Sequence, residues 1–127
     1  MQERELFEYA VIRLVPRVER EEFLNVGVIL LCKKRNFLHV IYEVNQVKLS
    51  AFCMECDLTE IAAHLAALAR IAAADPTAGP IAQLDAAGRF RWLTAQRSTI
   101  IQASKVHPGL CADPMGMLER LFREMVL

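Results

Sequence analysis

Residues 9–15 alternate in character, with Ala10, Ile12 and Leu14 falling to one side and Tyr9, Val11 and Arg13 to the other. That period of two predicts a β-strand, and Pro16 ends it because proline cannot donate to a ladder. Residues 25–32 are apolar on both phases: Val26, Val28 and Leu30 would share one face, Ile29 and Leu31 the other. Such a run suits a central strand covered on both sides. Gly27 within it signals a bulge or a closely approaching neighbour. After the charged turn Lys33-Lys34-Arg35-Asn36, residues 37–43 resume the extended pattern and complete a hairpin.

The period then changes. Leu58, Ile61, Leu65, Leu68 and Ala72 step by three or four residues, the stripe of an amphipathic helix. Asp57 is placed to cap it, with Glu60 at capping-box spacing, and Asp75-Pro76 closes it. Residues 77–88 read as loop with a short helical turn. Residues 89–95 fit helix and strand equally, and residues 97–104 read as a strand on the strength of Thr99, Ile100 and Ile101. A last helix starts at Asp113-Pro114 and buries Leu118, Leu121, Phe122 and Met125, with Glu119 and Arg123 as an exposed pair. Strands cluster early and do not alternate with helices. The pattern therefore predicts one α+β domain over residues 1–127, with a small antiparallel or mixed sheet and two amphipathic helices on one face.

Composition narrows the function classes. Fifteen basic and fifteen acidic side chains cancel, so there is no basic field of the kind duplex DNA selects. Apolar residues reach 54%, but in short runs, none long enough to span a bilayer. The opening Met1-Gln2-Glu3-Arg4-Glu5 carries no signal-peptide pattern, so a cytoplasmic location is expected, and with it reduced thiols at Cys32, Cys53, Cys56 and Cys111.

Three groups of residues have the types that chemistry needs. Arg89, Arg91 and Arg97, with Phe90, Trp92, Ser98 and Thr99, gather guanidiniums, rings and hydroxyls that suit a phosphate, carboxylate or nucleotide. His107 stands in the turn before the last helix and extends this anion-binding set. The simpler alternative makes Phe90 and Trp92 core and the arginines surface ion pairs. Cys53 and Cys56 precede a helix at redox or metal spacing, but lack the strand-helix-strand frame of a redox motif and a second pair of ligands for zinc. Ordinary thiols are the expectation there. His107 and Cys111 are the types of a nucleophile and its base, and read first as parts of a Pro-Gly turn. His39 and His64 read as structural or exposed. No phosphate loop, dinucleotide fingerprint, HExxH or GxSxG occurs, so no cofactor is expected and an enzyme is the less favoured reading.

Two stretches taken together resemble a known bacterial family. One is Tyr9-Ala10-Val11-Ile12-Arg13 followed by Glu22-Phe23-Leu24-Asn25-Val26-Gly27-Val28-Ile29-Leu30. The other runs from Arg89-Phe90-Arg91-Trp92-Leu93-Thr94 through Arg97-Ser98-Thr99 and Val106-His107-Pro108-Gly109-Leu110-Cys111-Ala112-Asp113-Pro114 to Leu118-Glu119-Arg120-Leu121. In that order they resemble the domain-of-unknown-function family DUF3037, from about Glu8 to Val126. The resemblance brings no established activity and no catalytic residues, and the Cys53/Cys56 pair is outside its pattern. It implies a HipA-type kinase-fold protein as a partner, since such proteins are often encoded beside members. The expected function is an interaction or accessory module that docks such a partner or a second copy. The alternative is an anion- or nucleotide-binding domain centred on Arg89, Arg91, Arg97, Ser98 and His107.

Overall fold

The computed structural model of the chain describes residues 3–95 and 99–127. Five strands form one antiparallel sheet: β1 (Glu5–Leu14), β2 (Leu24–Cys32), β3 (Phe37–Tyr42), β4 (Ile101–Ala103) and β5 (His107–Cys111). Strand β1 is central. It pairs β2 on one side and both β4 and β5 on the other, and β3 lies outside β2. The helices are α1 (Gln46–Phe52), α2 (Leu58–Ala72), α3 (Ala86–Leu93) and α4 (Pro114–Met125).

The sheet is covered on both faces. Ala10, Ile12, Leu14, Ile29, Leu31, Leu38 and Val40 point to α2 and α3 and meet Ile61, Leu65, Phe90 and Leu93. Phe7, Val28, Leu30 and Cys32 point the other way, to Leu118 and Leu121 of α4. The α+β class and antiparallel sheet are as the pattern predicts. The placement of both amphipathic helices on one face is not. The doubly apolar β2 gives the reason: each phase of its side chains needs its own cover, so α2 and α4 take opposite sides.

Gly27 fulfils both meanings read into it. Ile12 pairs with Gly27 but Arg13 pairs with Asn25, so Val26 is the extra residue of a β-bulge. The bulge turns Val26 into the α2 face with Ile29, and not, as strict alternation predicts, to the side of Val28 and Leu30. A Cβ on Gly27 would also sit 2.8 Å from the Ile41 carbonyl oxygen.

Local signals placed most boundaries. The Asp57 carboxylate accepts from the amides of Thr59 (2.9 Å) and Glu60 (3.3 Å) at the start of α2. The last helix begins at Pro114 as expected, but Asp113 makes no side-chain cap bond, and the ion pair on the helix's exposed side is Arg120 with Glu124 at 3.0 Å and not the expected Glu119 with Arg123. Residues 89–95, open to either reading, belong mostly to α3, where the Asp85 carboxylate accepts from the Gly88 amide (2.8 Å). Helix α1 and strand β5 have no counterpart in the sequence reading.

The segment 107–111, read as a turn, is a strand. Pro108 stands opposite Glu8, at a position whose nitrogen faces away from β1, so no ladder bond is lost. Gly109 stands opposite Phe7, whose ring occupies the place of a side chain there. Between β4 and β5 the register slips, and Ser104 bridges the break. Its amide donates to the Val11 carbonyl (2.8 Å), and its Oγ accepts from the Val11 amide (2.8 Å).

The expectation of reduced thiols fails at one pair: Cys53 and Cys56 are joined as a disulfide. The turn between α1 and α2 brings their Cα atoms to 5.6 Å, within the span a bridge needs. Cys32 and Cys111 are free and buried. Among the described residues no helix is long and apolar enough to cross a membrane.

Candidate functional site

The sheet face under α2 and α3 is not completely filled. A cleft of about 130 Å³ opens between α2, α3 and β4, with Ile12, Ile29 and Val40 of three strands as its floor. Its walls are Leu68 of α2, Leu93 of α3 and Ile101 of β4. Among its described lining residues, polar groups come from His64, Trp92, Thr99 and Gln102, of which His64, Trp92 and Thr99 are exposed. Two of these are held in place: Thr99 Oγ1 donates to the Ile101 carbonyl (2.6 Å), and Gln102 Nε2 donates to the Thr99 carbonyl (2.9 Å). Local chemistry also fixes α3 as a wall. Its inner side buries Ala86, Phe90 and Leu93, and Thr94 Oγ1 returns to the Phe90 carbonyl (2.8 Å) as the helix ends.

The described lining of the cleft carries no formal charge. His64 is the only ionisable side chain among its described lining residues, and it is exposed. An engineered apolar cavity of about 150 Å³ takes one benzene. The cleft thus has room for one phenyl or leucine-sized group, and its described lining offers no lysine or arginine to hold a phosphate.

The described members of the sequence-derived anion set, Arg89, Arg91 and His107, do not converge. Arg89 turns back along its own chain, and Nη1 donates to the Leu84 carbonyl at 2.6 Å. Its Nε is buried without a hydrogen-bond partner among the described residues. Arg91 is exposed on α3. Arg97 and Ser98 lie outside the described residues. His107 pairs with Tyr9 across β5 and β1, its ring 5.4 Å from the tyrosine ring, and Tyr9 packs on the α4 side. The sheet therefore separates His107 from Arg89 and Arg91.

His107 and Cys111 share a face of β5 four residues apart, about 13 Å along a strand, too far for a nucleophile and its base. Burial pushes the Cys111 thiol up from its ordinary pKa, and nearby Cys32 adds to this, which keeps it protonated and unreactive. The weak metal reading of Cys53 and Cys56 is corrected by their disulfide, which leaves no thiolate to ligate. Among the described residues no group of three or more His, Cys, Asp or Glu side chains is arranged to hold a metal ion. His39 is exposed on β3 beside Phe37, their rings 6.1 Å apart.

The cleft residues were not singled out by their types. Ile12, Ile29 and Leu68 have the look of core, and His64 that of an exposed helix flank. Only Trp92 and Thr99 fell within a flagged cluster. The missing signal is tertiary: these side chains become a site because α2, α3 and β4 stop short of meeting over them.

Fold and cleft together define a small domain with an antiparallel sheet between helical layers and an apolar recess on its α2 side. Residues 9–126 match the family described as "Protein of unknown function (DUF3037)", and the chain belongs to that family. No curated protein and no solved structure matches the chain.

Proposed function

We propose that the chain is an accessory protein-interaction module that seats one apolar side chain of a partner in the cleft between α2, α3 and β4. The observation that carries this reading is the cleft's chemistry: an apolar floor on three strands, exposed polar groups in its described lining, and a volume that fits a single Phe or Leu. Buried apolar anchors with a polar surround are how hot spots of protein interfaces are built. A HipA-type kinase-fold protein, which the family resemblance implies, is the first partner to test.

Capture from native cells with the wild-type chain and with Leu68→Arg tests the reading. The variant places a charge in the cleft wall, and circular dichroism checks that it is folded. Retention of one near-stoichiometric protein by the wild type and its loss by Leu68→Arg supports the proposal. A partner held equally by both removes the cleft from the interface, and no partner for either removes the interaction reading.

The alternative, an anion- or nucleotide-binding domain, draws on Arg91 with Arg97 and Ser98. It has less support, because Arg89 is engaged with its own main chain and His107 is on the other face. A rise in melting temperature with nucleotides or inorganic phosphate, lost in Arg91→Ala, would move the conclusion there.

A further inference from the structure

Strand β3 is the outermost strand of the sheet, and among the described residues no strand pairs with its outer side. Glu43 donates to the Val26 carbonyl (2.8 Å), which sets the phase of the β2–β3 ladder. Paired bonds then fall at Ile41 with Val28, His39 with Leu30 and Phe37 with Cys32. The N–H and C=O groups of Leu38, Val40 and Tyr42 consequently face outward, and among the described residues no main-chain or side-chain group bonds them. Six residues in a row, Phe-Leu-His-Val-Ile-Tyr, contain no proline, glycine, lysine or bulge. Native proteins ordinarily interrupt such an edge with one of these.

We infer that the edge is completed by β3 of a second copy, running antiparallel about a twofold axis at Val40. The register follows from the outward groups. Placing Val40 opposite Val40 sets Leu38 opposite Tyr42 at both ends. All three outward positions on each copy are then used, in pairs that exchange two bonds each, about six in all. A shift of two residues brings into the ladder either Asn36, with its left-handed backbone (φ 50°), or Val44, beyond the end of β3 at Tyr42, and either loses this match.

Charge selects a second copy over an unrelated strand. The basic turn Lys33-Lys34-Arg35 precedes β3 and Glu43 follows it. Arg35 is already paired with Glu5 at 2.9 Å, but Lys33, Lys34 and Glu43 are exposed and have no ion-pair partner among the described residues. An antiparallel twofold carries the lysines of each copy to the Glu43 end of the other, and does so twice. No like charges meet within the strand, since His39 lies opposite Ile41. The result is one continuous sheet through two molecules, with α2 layers on one side and α4 layers on the other. It is independent of the partner cleft.

Sedimentation equilibrium over a range of concentrations, with amide hydrogen exchange at its two ends, tests this. The expected result is a dimer whose Leu38, Val40 and Tyr42 amides slow at least tenfold at high concentration. Those of His39 and Ile41, already bonded to β2, change little. Glu43→Lys should weaken the dimer about tenfold, with two like-charge contacts replacing two opposite ones. Adding Lys33→Glu and Lys34→Glu to it should restore the affinity. All three positions are exposed, so the fold is not at stake. A chain that stays monomeric overturns the inference. So does a dimer in which those three amides exchange as in the monomer, or one indifferent to the charge reversal. Leu68→Arg in the cleft should leave the dimer intact, so failure of the cleft reading and failure of this one are told apart.

Discussion

On its β4/β5 side the sheet ends in a strand broken in two, and on its β3 side in one that is whole. The broken edge is defended at each step. Strand β4 has only three residues, and its outward Ile101 carbonyl is taken by Thr99 Oγ1. Ser104 and Lys105 interrupt the ladder, and Pro108 replaces an outward N–H with a ring. Short strands, breaks, lysine and proline are the devices by which proteins refuse further pairing. The β3 edge has none of them. A chain that spends such devices on one edge and omits them on the other treats the two differently, and the difference is what marks β3 as a surface for pairing.

The contrast is tested most severely at Gly27, which lets β3 lie close against β2. A Cβ there meets the Ile41 oxygen at 2.8 Å and the Tyr42 Cβ at 3.0 Å, backbone and near-backbone atoms that cannot swing aside. Gly27→Ala should cost about 3 kcal/mol, at the upper end of overpacking effects. Urea denaturation would show it as a lower midpoint, and exchange at β3 amides should quicken before the rest of the sheet. A midpoint within error of wild type would mean the strands separate freely.

Ser104 is the corresponding point on the defended edge. Its hydroxyl accepts from the Val11 amide where the ladder breaks, and donates to the Lys105 carbonyl (2.9 Å). Ser104→Ala leaves a buried amide without an acceptor and should cost about 2 kcal/mol. Ser104→Thr keeps the hydroxyl and should recover part of it. Equal loss in both would place the effect in packing and not in the bond.

These two positions also show what was legible. Gly27 could be read because a lone glycine in an apolar run has few explanations. Ser104 could not, since nothing local says that a serine will stand where two strands part. The same divide runs through the fold. Asp57 announced its helix by a cap that forms, and the last helix was announced by Pro114 at its first turn, since Asp113 makes no side-chain cap bond. Strand β5 was hidden because proline and glycine were weighed as turn formers, whereas Phe7, about a hundred residues earlier, makes Gly109 acceptable. Helix α1, with seven residues and a single buried side chain, Leu49, is too short to show a period. The candidate site was the least legible part. Whether Ile12 or Leu68 is core or cleft depends on how far α2 and α3 approach each other, which no side chain's identity records. Two-sided cover was present in β2 from the start, and should have outweighed the simpler picture of both helices on one face.

Alkaline pH gives a smaller effect on the same edge. Burial raises the Cys111 thiol above its ordinary pKa. The folded state thus holds the proton more tightly than the unfolded one. Stability from this source is complete below the unfolded thiol's pKa of about 8.5, and is lost as pH rises through the higher folded value. The urea midpoint should fall more steeply above about pH 8.5 in the wild type than in Cys111→Ala. Parallel slopes would mean that the thiolate is as well solvated in the folded chain as outside it.

The smallest change in stability should accompany the most direct test of the comparison. Pro108 is exposed, and its nitrogen faces the outer side of β5. Pro108→Ala restores one outward N–H without touching the bonds to β1. The cost should be about 0.5–1 kcal/mol, mostly from a less restricted unfolded chain. If proline is there to keep this edge closed, the variant should self-associate beyond the wild-type state, with new exchange protection at the restored amide. The neighbouring His107 and Gly109 amides bond to β1 in either case and should serve as controls. If the variant behaves as the wild type in sedimentation, proline is not what closes this edge, and the break at Ser104 and the shortness of β4 must do so alone. The asymmetry that singles out β3 would then rest on the ladder's geometry and not on the chemistry of one ring.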